Sequence, residues 1–517
     1  MKKECIDIII IGAGLSGIGA AYHLQKNCPS KSLAILEGRE ALGGTWDLFK
    51  YPGIRSDSDM FTYGYKFKPW TGKNSLATGE TLLNYLNEAA EENGIKQKIR
   101  FGHKVNKLSW SSDVALWTLE VEVDGEIRLF ESSFVLSCTG YYDYNEGYQP
   151  EFNNKQAFEG QFIHPQHWPE DLDYCNKKII VIGSGATAVT LVPNLAYKAK
   201  HVTMLQRSPT YIAPLPMQDR LLSLLRMIMP DVWVSRFARQ RNIFMTSLLY
   251  NFMTKFPLRA RKFLDKKRNQ ILTADIDKKH FSPSYDPWDQ RLCLVPDGDL
   301  FQALNNGKAS IKTDHIDEFT KTGISLKSGE HLEADIIVSA TGLNMKLLEN
   351  MDISVDGQTL TPADKMFYRG ILLEDVPNFG AVFGYTNASW TLKSELVSEY
   401  VCRIINHMDD IKRPICVPVN VHDTKQELFL NLSSGYVQRA QQGIPKQGAV
   451  QPWRLDQDYK KDKKRLKEVE MEDGILQFNK TVSVAFDNSS LAGVNPKKAR
   501  PTKVKSKKAS PARVVSN

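Results

Sequence analysis

One arrangement of apolar and polar positions occurs twice along the chain. A short apolar run leads into a glycine turn, a stretch of small residues follows, and a second apolar run ends on a polar side chain. The first copy is Ile6 to Ile11, then Gly12-Ala13-Gly14-Leu15-Ser16-Gly17, then Leu33-Ala34-Ile35-Leu36-Glu37. The second is Lys178 to Ile182, then Gly183-Ser184-Gly185-Ala186-Thr187-Ala188, then Val202-Thr203-Met204-Leu205-Gln206-Arg207. Uninterrupted apolar runs bounded by turns are the mark of strands covered on both faces, so each copy predicts strand, turn, helix, strand in an α/β fold.

The sequence between and after the copies has other periods. Alternating apolar residues over Trp117 to Val123 and Ile127 to Val135 predict antiparallel strands that end at Cys138-Thr139-Gly140, a crossing between domains. A matching Ala340-Thr341-Gly342 closes the apolar strand Ile336 to Val338 and marks a return crossing. Leu221 to Arg268 reads as helical, with eleven Lys/Arg against only Asp231 and Asp265, and helical periodicity returns at Ser394 to Met408 and Asp456 to Val469.

Composition narrows the picture. At 517 residues the chain has room for several domains around a large core. Its seven cysteines are scattered and never spaced as pairs, which argues against a disulfide framework, a zinc site and a dithiol redox centre, and fits a cytoplasmic setting. The Met-Lys-Lys start and the apolar run behind it imitate a secretory leader, but the run is short and enters a glycine turn, so it reads as a buried strand. No stretch reaches the roughly 18 uncharged apolar residues that a membrane span needs. The net charge of +8 resides in Pro496 to Asn517, which holds eight Lys/Arg and no acid. The body is then near neutral, the tail reads as disordered, and a nucleic-acid partner is not expected.

The glycine turns carry the chemistry. A turn that follows a strand and opens a helix presents backbone amides to a pyrophosphate, and a carboxylate at the end of the next strand accepts the ribose hydroxyls. Gly12, Gly14, Gly17 and Glu37 meet that description, and FAD fits. The second copy has Ala188 where only close helix packing is needed. It places Gln206 at the position of Glu37 and follows it with Arg207, a cation suited to a 2′-phosphate, so NADPH is expected over NADH. Two such sites in one chain imply hydride transfer from nicotinamide to flavin. A disulfide reductase lacks its cysteine pair here, which leaves O2 as the electron acceptor.

Two long motifs then carry a specific resemblance. Phe158-Glu159-Gly160-Gln161-Phe162-Ile163-His164-Pro165-Gln166-His167-Trp168-Pro169 is similar to the FxGxxxHxxxWP signature of the Baeyer-Villiger monooxygenases, a family of class B flavoprotein monooxygenases. Gly43-Gly44-Thr45-Trp46 through Tyr51-Pro52-Gly53 to Asp57 resembles that family's other signature. The stretches Tyr51 to Asp59, Asp286 to Pro296 and Gly384 to Lys393 look like its ethionamide-activating branch, and the likeness runs from about Asp7 to Phe478.

The resemblance implies a reaction. Reduced flavin and O2 give a C4a-peroxyflavin that converts a ketone to an ester or lactone, with sulfide and thioamide S-oxygenation as a further activity. It implies Arg291 as the cation of the oxygenation site, with Asp57 holding it. It implies FAD contacts at Ser16, Glu37, Thr45, Trp46, Asp47, Leu48, Asp57 and Val105. NADP contacts are implied at Arg55, Ser56, Asp57, the segment Gly183 to Val189, Arg207 and Ser208. Gln290 stands where the wider family often has lysine, which removes one phosphate partner. His164 reads as a packed linker residue that couples the domains rather than as an acid or base. A dedicated N- or S-oxygenating flavoenzyme remains open, as does, more remotely, a non-catalytic NADPH sensor.

The expected organisation follows. An FAD-binding domain at 1–140 resumes at 376–493, and an NADP-binding domain at 141–215 resumes at 285–375. A helical insert occupies 216–284 and a basic tail 494–517. The insert's cations and apolar runs suit either a buried tunnel or subunit face, or peripheral contact with anionic lipid. The oligomeric state is not legible in the sequence.

Overall fold

The computed structural model describes residues 3–348, 351–430 and 432–479. The expected tail, and the end of the segment drawn to 493, lie outside the described residues.

Both glycine-turn units fold as the pattern predicts. Ile8–Ile11 lies between Leu33–Leu36 and Phe134–Ser137 in a seven-stranded sheet, all three parallel. Ile8 and Ile10 enter the apolar cluster on one side of this sheet, Ile9 and Ile11 the cluster on the other. That two-sided burial is why the run has no polar member. Burying each such side chain contributes about 1.5–3 kcal/mol. In the second unit, Lys178–Ile182 lies between His201–Gln206 and Ile336–Ser339 in a five-stranded parallel sheet. Ile179 and Val181 face one cluster, Ile180 and Ile182 the other.

The alternating stretches form Leu116–Val123 and Glu126–Ser132, which pair antiparallel in a six-stranded sheet. The expected strand Ile127 to Val135 is divided. Its last residues belong to Phe134–Ser137, which turns into the seven-stranded sheet beside Ile8–Ile11.

The chain crosses to the second unit after Gly140 and returns after Gly342, and the crossing strands Tyr142–Gly147 and Leu343–Met345 pair antiparallel. The return precedes the boundary drawn at 375. Asp352–Val355 already pairs with Lys104–Ser111, and Leu372–Leu373 pairs with Phe379–Ala381 in the first unit's sheet. Pairing between strands so distant in sequence overrides the local pattern, which marked the exit from the second sheet but not where the chain went next.

The insert consists of the helices Arg220–Leu225, Asp231–Lys255 and Pro257–Asn269. Arg239 fastens it to the body. This buried guanidinium donates to the carbonyls of Phe61, Thr62 and Gly64 and to Glu395 at 2.7 Å, on the helix Trp390–Asp410. No helix among the described residues is long and apolar enough to cross a membrane.

Candidate functional site

The two glycine turns are built alike. Gly12 has φ +99°, and a Cβ there would stand 2.8 Å from the carbonyl oxygen of Cys138. Gly183 has φ +140°, and a Cβ would stand 2.3 Å from the carbonyl of Ala340. Each turn therefore runs beneath the residue that begins a crossing, and only glycine fits. The helices that follow, Leu15–Asn27 and Ala186–Ala196, start without a side-chain cap. Their first amides are left for an anion.

A cavity of about 1860 Å³ opens over the first turn and extends toward the second. Of the residues expected at the site, Gly12, Gly14, Ser16, Glu37, Thr45, Trp46, Arg55, Ser56, Asp57, Val105, Ala186, Thr187 and Arg291 line it. Glu37 is buried at the end of its strand. One carboxylate oxygen accepts the Ala13 amide at 2.7 Å and the other the Arg39 amide at 3.0 Å. Burial pushes its pKa up and these amides hold it down, with burial the stronger. The carboxylate is thus positioned before any ribose arrives, and its remaining lone pairs suit the hydroxyls.

The other expected residues lie off this wall. Gly17 and Ala188 are buried where helix meets strand. Asp47 turns to Arg39 in an ion pair of 2.7 Å, and Leu48 packs on the second unit's core. Val189 is buried in that core. Gly183, Ser184 and Gly185 edge the second turn, with Gly185, Arg207 and Ser208 exposed. Arg207 makes no ion pair among the described residues.

Gln206 occupies the position that superposing the units assigns to it. The positions do correspond, since Gly12 donates to Leu36 and Gly183 to Leu205, each at 2.8 Å, immediately before Glu37 and Gln206. The Gln206 amide is nevertheless buried and spent on the His280 carbonyl and the Thr313 hydroxyl, both at 2.8 Å. It braces the sheet edge, and Arg207 alone faces outward.

Arg291 follows an unusual turn. Trp288 has φ +76°, costly for a bulky side chain. It is held by the Asp286 amide on the Asp289 carboxylate at 2.9 Å and by Ser433, whose hydroxyl donates to the Asp289 carbonyl at 3.0 Å. Arg261 ties the same turn to the insert through Asp286 at 2.7 Å. The turn delivers Arg291 to the cavity wall. Burial works against its charge, but the phenols of Tyr141 and Tyr436, with Asp57 and Tyr142, outweigh that, and the guanidinium stays cationic. Asp57 does not hold Arg291 directly: it is exposed on the same wall, and no ion pair within 4.0 Å joins the two. Its influence is through space. Arg55 instead pairs with Asp299 at 2.5 Å and ties the first unit to the second.

An aromatic group absent from the sequence expectations completes the wall. Trp390 donates to the Ser16 hydroxyl at 2.8 Å and stacks on Tyr141 at 5.1 Å between centroids. The Tyr141 and Tyr142 hydroxyls lie 2.9 Å apart, and burial keeps Tyr142 a neutral phenol. The only sequence signal for the tyrosines was their place directly after Gly140. Trp390 lay inside a recognised stretch but was given no role there.

His164 lies outside the cavity wall. Its Nε2 is 3.2 Å from the Gly342 carbonyl, and its Nδ1 accepts the Gln166 amide at 3.2 Å. It bridges the crossing strands, and burial lowers its pKa, so it serves as a neutral hydrogen-bonded link.

Comparison with known proteins agrees with this geometry. Residues 9–214 match the model of the pyridine nucleotide-disulphide oxidoreductases. The chain is 49% identical over 486 residues to a probable FAD-binding monooxygenase, AlmA, of an Acinetobacter species, covering 93% of this chain and 97% of that one. It is 49% identical to the FAD-containing monooxygenase EthA of Mycolicibacterium smegmatis, covering 94% of this chain and 100% of EthA. The chain belongs to the FAD-containing monooxygenases. Solved structures share the fold at lower identity. A steroid monooxygenase bound to NADP superposes with a TM-score of 0.69 at 21% identity, covering 80% of this chain and 88% of that one. A cyclohexanone monooxygenase from Rhodococcus sp. Phi1 bound to NADP+ gives 0.66 at 20%, covering 81% and 87%. The fold expected from the two motifs is the one these solved monooxygenases share, and this chain is a flavoprotein monooxygenase.

The residues present fit both groups. The glycine cradles, the uncapped helices and Glu37 suit FAD, and exposed Arg207 beside the second turn suits a 2′-phosphate.

Proposed function

We propose that this monooxygenase inserts one oxygen atom of O2 beside a ketone carbonyl, giving an ester or lactone, and that sulfides and thioamides of the ethionamide type are oxygenated at sulfur in the same cavity. The observation that carries this reading is the cation Arg291, fixed by a strained turn on the cavity wall that also bears Ser16 and Trp390.

Bound FAD, reduced by NADPH, supplies the activated oxygen. The chain's own contribution is electrostatic and steric. Oxygen addition to a ketone places negative charge on the carbonyl oxygen, and Arg291 offers a preorganised counter-charge there. Asp57, on the same wall without direct contact, favours the charged form and leaves the guanidinium donors free for substrate. Trp390, Tyr141 and Tyr142 keep water from the same region, which strengthens that interaction. Ser16 orients Trp390. Arg55, through Asp299, sets how closely the second unit approaches.

Arg291→Ala tests the assignment. The variant is expected to retain FAD and to be bleached by NADPH at about the parent rate, while ester formation falls at least about 100-fold, the scale of losing one preorganised charge. FAD retention shows that the variant has folded. Ester formation at the parent rate would remove Arg291 from the mechanism.

A further inference from the structure

Fifteen of the twenty large apolar side chains exposed among the described residues lie between Leu221 and Phe263. They are ordered by the helices. Trp233, Phe237, Phe244 and Leu248 recur at four, seven and four residues on Asp231–Lys255, so they share one face. Ile228 and Leu258, 78% and 72% exposed, extend the apolar surface at the two ends of that helix. A single folded chain rarely leaves a contiguous apolar surface of this kind open to water.

The same surface is cationic. Arg236, Lys255, Arg259, Lys262, Lys266 and Lys267 are exposed and form no ion pair among the described residues. Arg236 lies over the Trp233 ring at 6.0 Å and Arg259 over Phe256 at 5.4 Å, so cations and aromatics are interleaved. That combination matches the boundary between acyl chains and acidic headgroups. It disfavours a second copy meeting the same face, because each would present the same excess of positive charge.

The apolar surface also runs into the cavity. Met245 and Leu249, each one residue beyond Phe244 and Leu248, are 50% and 41% exposed and line the cavity that holds Arg291. We propose that the helical insert rests on an anionic membrane surface and that lipophilic substrate enters the cavity from that surface past Met245 and Leu249. This deepens the ketone-oxygenation reading and rests on it for the identity of the substrate alone.

The test uses the full holoenzyme and vesicles of phosphatidylglycerol with phosphatidylcholine, or of phosphatidylcholine alone. At low salt the parent is expected to sediment with the acidic vesicles and to remain in solution with the neutral ones. The triple variant Ile228→Ser, Trp233→Ser, Leu258→Ser, which leaves the cavity lining intact, is expected to lower partitioning at least about tenfold. It should also lower kcat/KM for a long-chain 2-ketone dissolved in those vesicles, while FAD content and turnover of a water-soluble ketone stay at parent values. Absence of sedimentation at low salt, or equal partitioning of parent and variant, would overturn the proposal. So would light scattering that shows a parent dimer, split by the variant, without vesicle binding. If the parent binds vesicles but oxygenates neither ketone, the docking stands and the ketone reading fails.

Discussion

On the proposed reading two residues distinguish the turns, Glu37 for FAD and Arg207 for NADPH. Glu37 is already oriented by the Ala13 and Arg39 amides, so on the proposed reading its removal takes charged hydrogen bonds from the FAD ribose and also frees the Ala13 amide of the turn. Such bonds are worth about 1.5–3 kcal/mol. Glu37→Ala is expected to raise the dissociation constant of FAD by about 10- to 100-fold, measured by reconstituting the apoprotein. Unchanged affinity would mean that the ribose is held elsewhere. Arg207 is the complementary case on the second turn, because Gln206 beside it is spent on His280 and Thr313. Arg207→Ala should raise KM for NADPH about tenfold or more and leave KM for NADH unchanged, since only the former carries the 2′-phosphate. A parallel change in both would point to a general loss of structure. At this scale residue type and position were legible in the sequence, but side-chain direction was not. Nothing in a sequence separates a glutamine that faces a ribose from one that braces a sheet edge. An arginine and an aspartate assigned as partners can share a wall without touching, as Arg291 and Asp57 do.

Elements were more legible than residues because burial imposes a period. The runs Ile8 to Ile11 and Lys178 to Ile182 are covered on both faces and read directly as strands. The insert's helices appeared where helical spacing appeared. What escaped was long-range pairing, such as Asp352–Val355 beside Lys104–Ser111, and the aromatic wall, since Tyr141, Tyr142 and Trp390 have the same residue types as any core. The helix Leu15–Asn27 carries its own pH dependence. His23 on it is buried, its Nε2 has no hydrogen-bond partner, and burial, against the pull of Glu399, pushes its pKa down to about 4. An unfolded histidine titrates near about 6.5. Above that pH both states are neutral and no stability is lost. As pH falls from about 6.5 toward 4, the unfolded chain takes up a proton that the folded chain refuses, and stability falls by on the order of 3 kcal/mol. His23→Leu is expected to flatten this part of the Tm profile. An unchanged acid limb would assign it to other groups.

At the scale of the whole molecule, two nucleotide folds are joined by paired crossing strands, with His164 bridging the crossing and Arg55–Asp299 clasping the units. The insert is fastened to the first unit by buried Arg239, and the Arg291 turn is anchored to the insert through Asp286 and to the first unit through Ser433. The cavity that holds Arg291 is lined by residues of all three parts, and on the proposed reading oxygenation needs all of them. Membership of the FAD-containing monooxygenases establishes the flavin; NADPH and the ketone substrate are proposed, and the ketone is the central claim. The measurement that tests it most directly is product analysis after the purified enzyme is supplied with FAD, NADPH, isotopically heavy O2 and a ketone such as phenylacetone. The account predicts an ester that carries one heavy oxygen atom, formed in step with NADPH consumed. NADPH consumption that yields hydrogen peroxide with no ester from any ketone would contradict it.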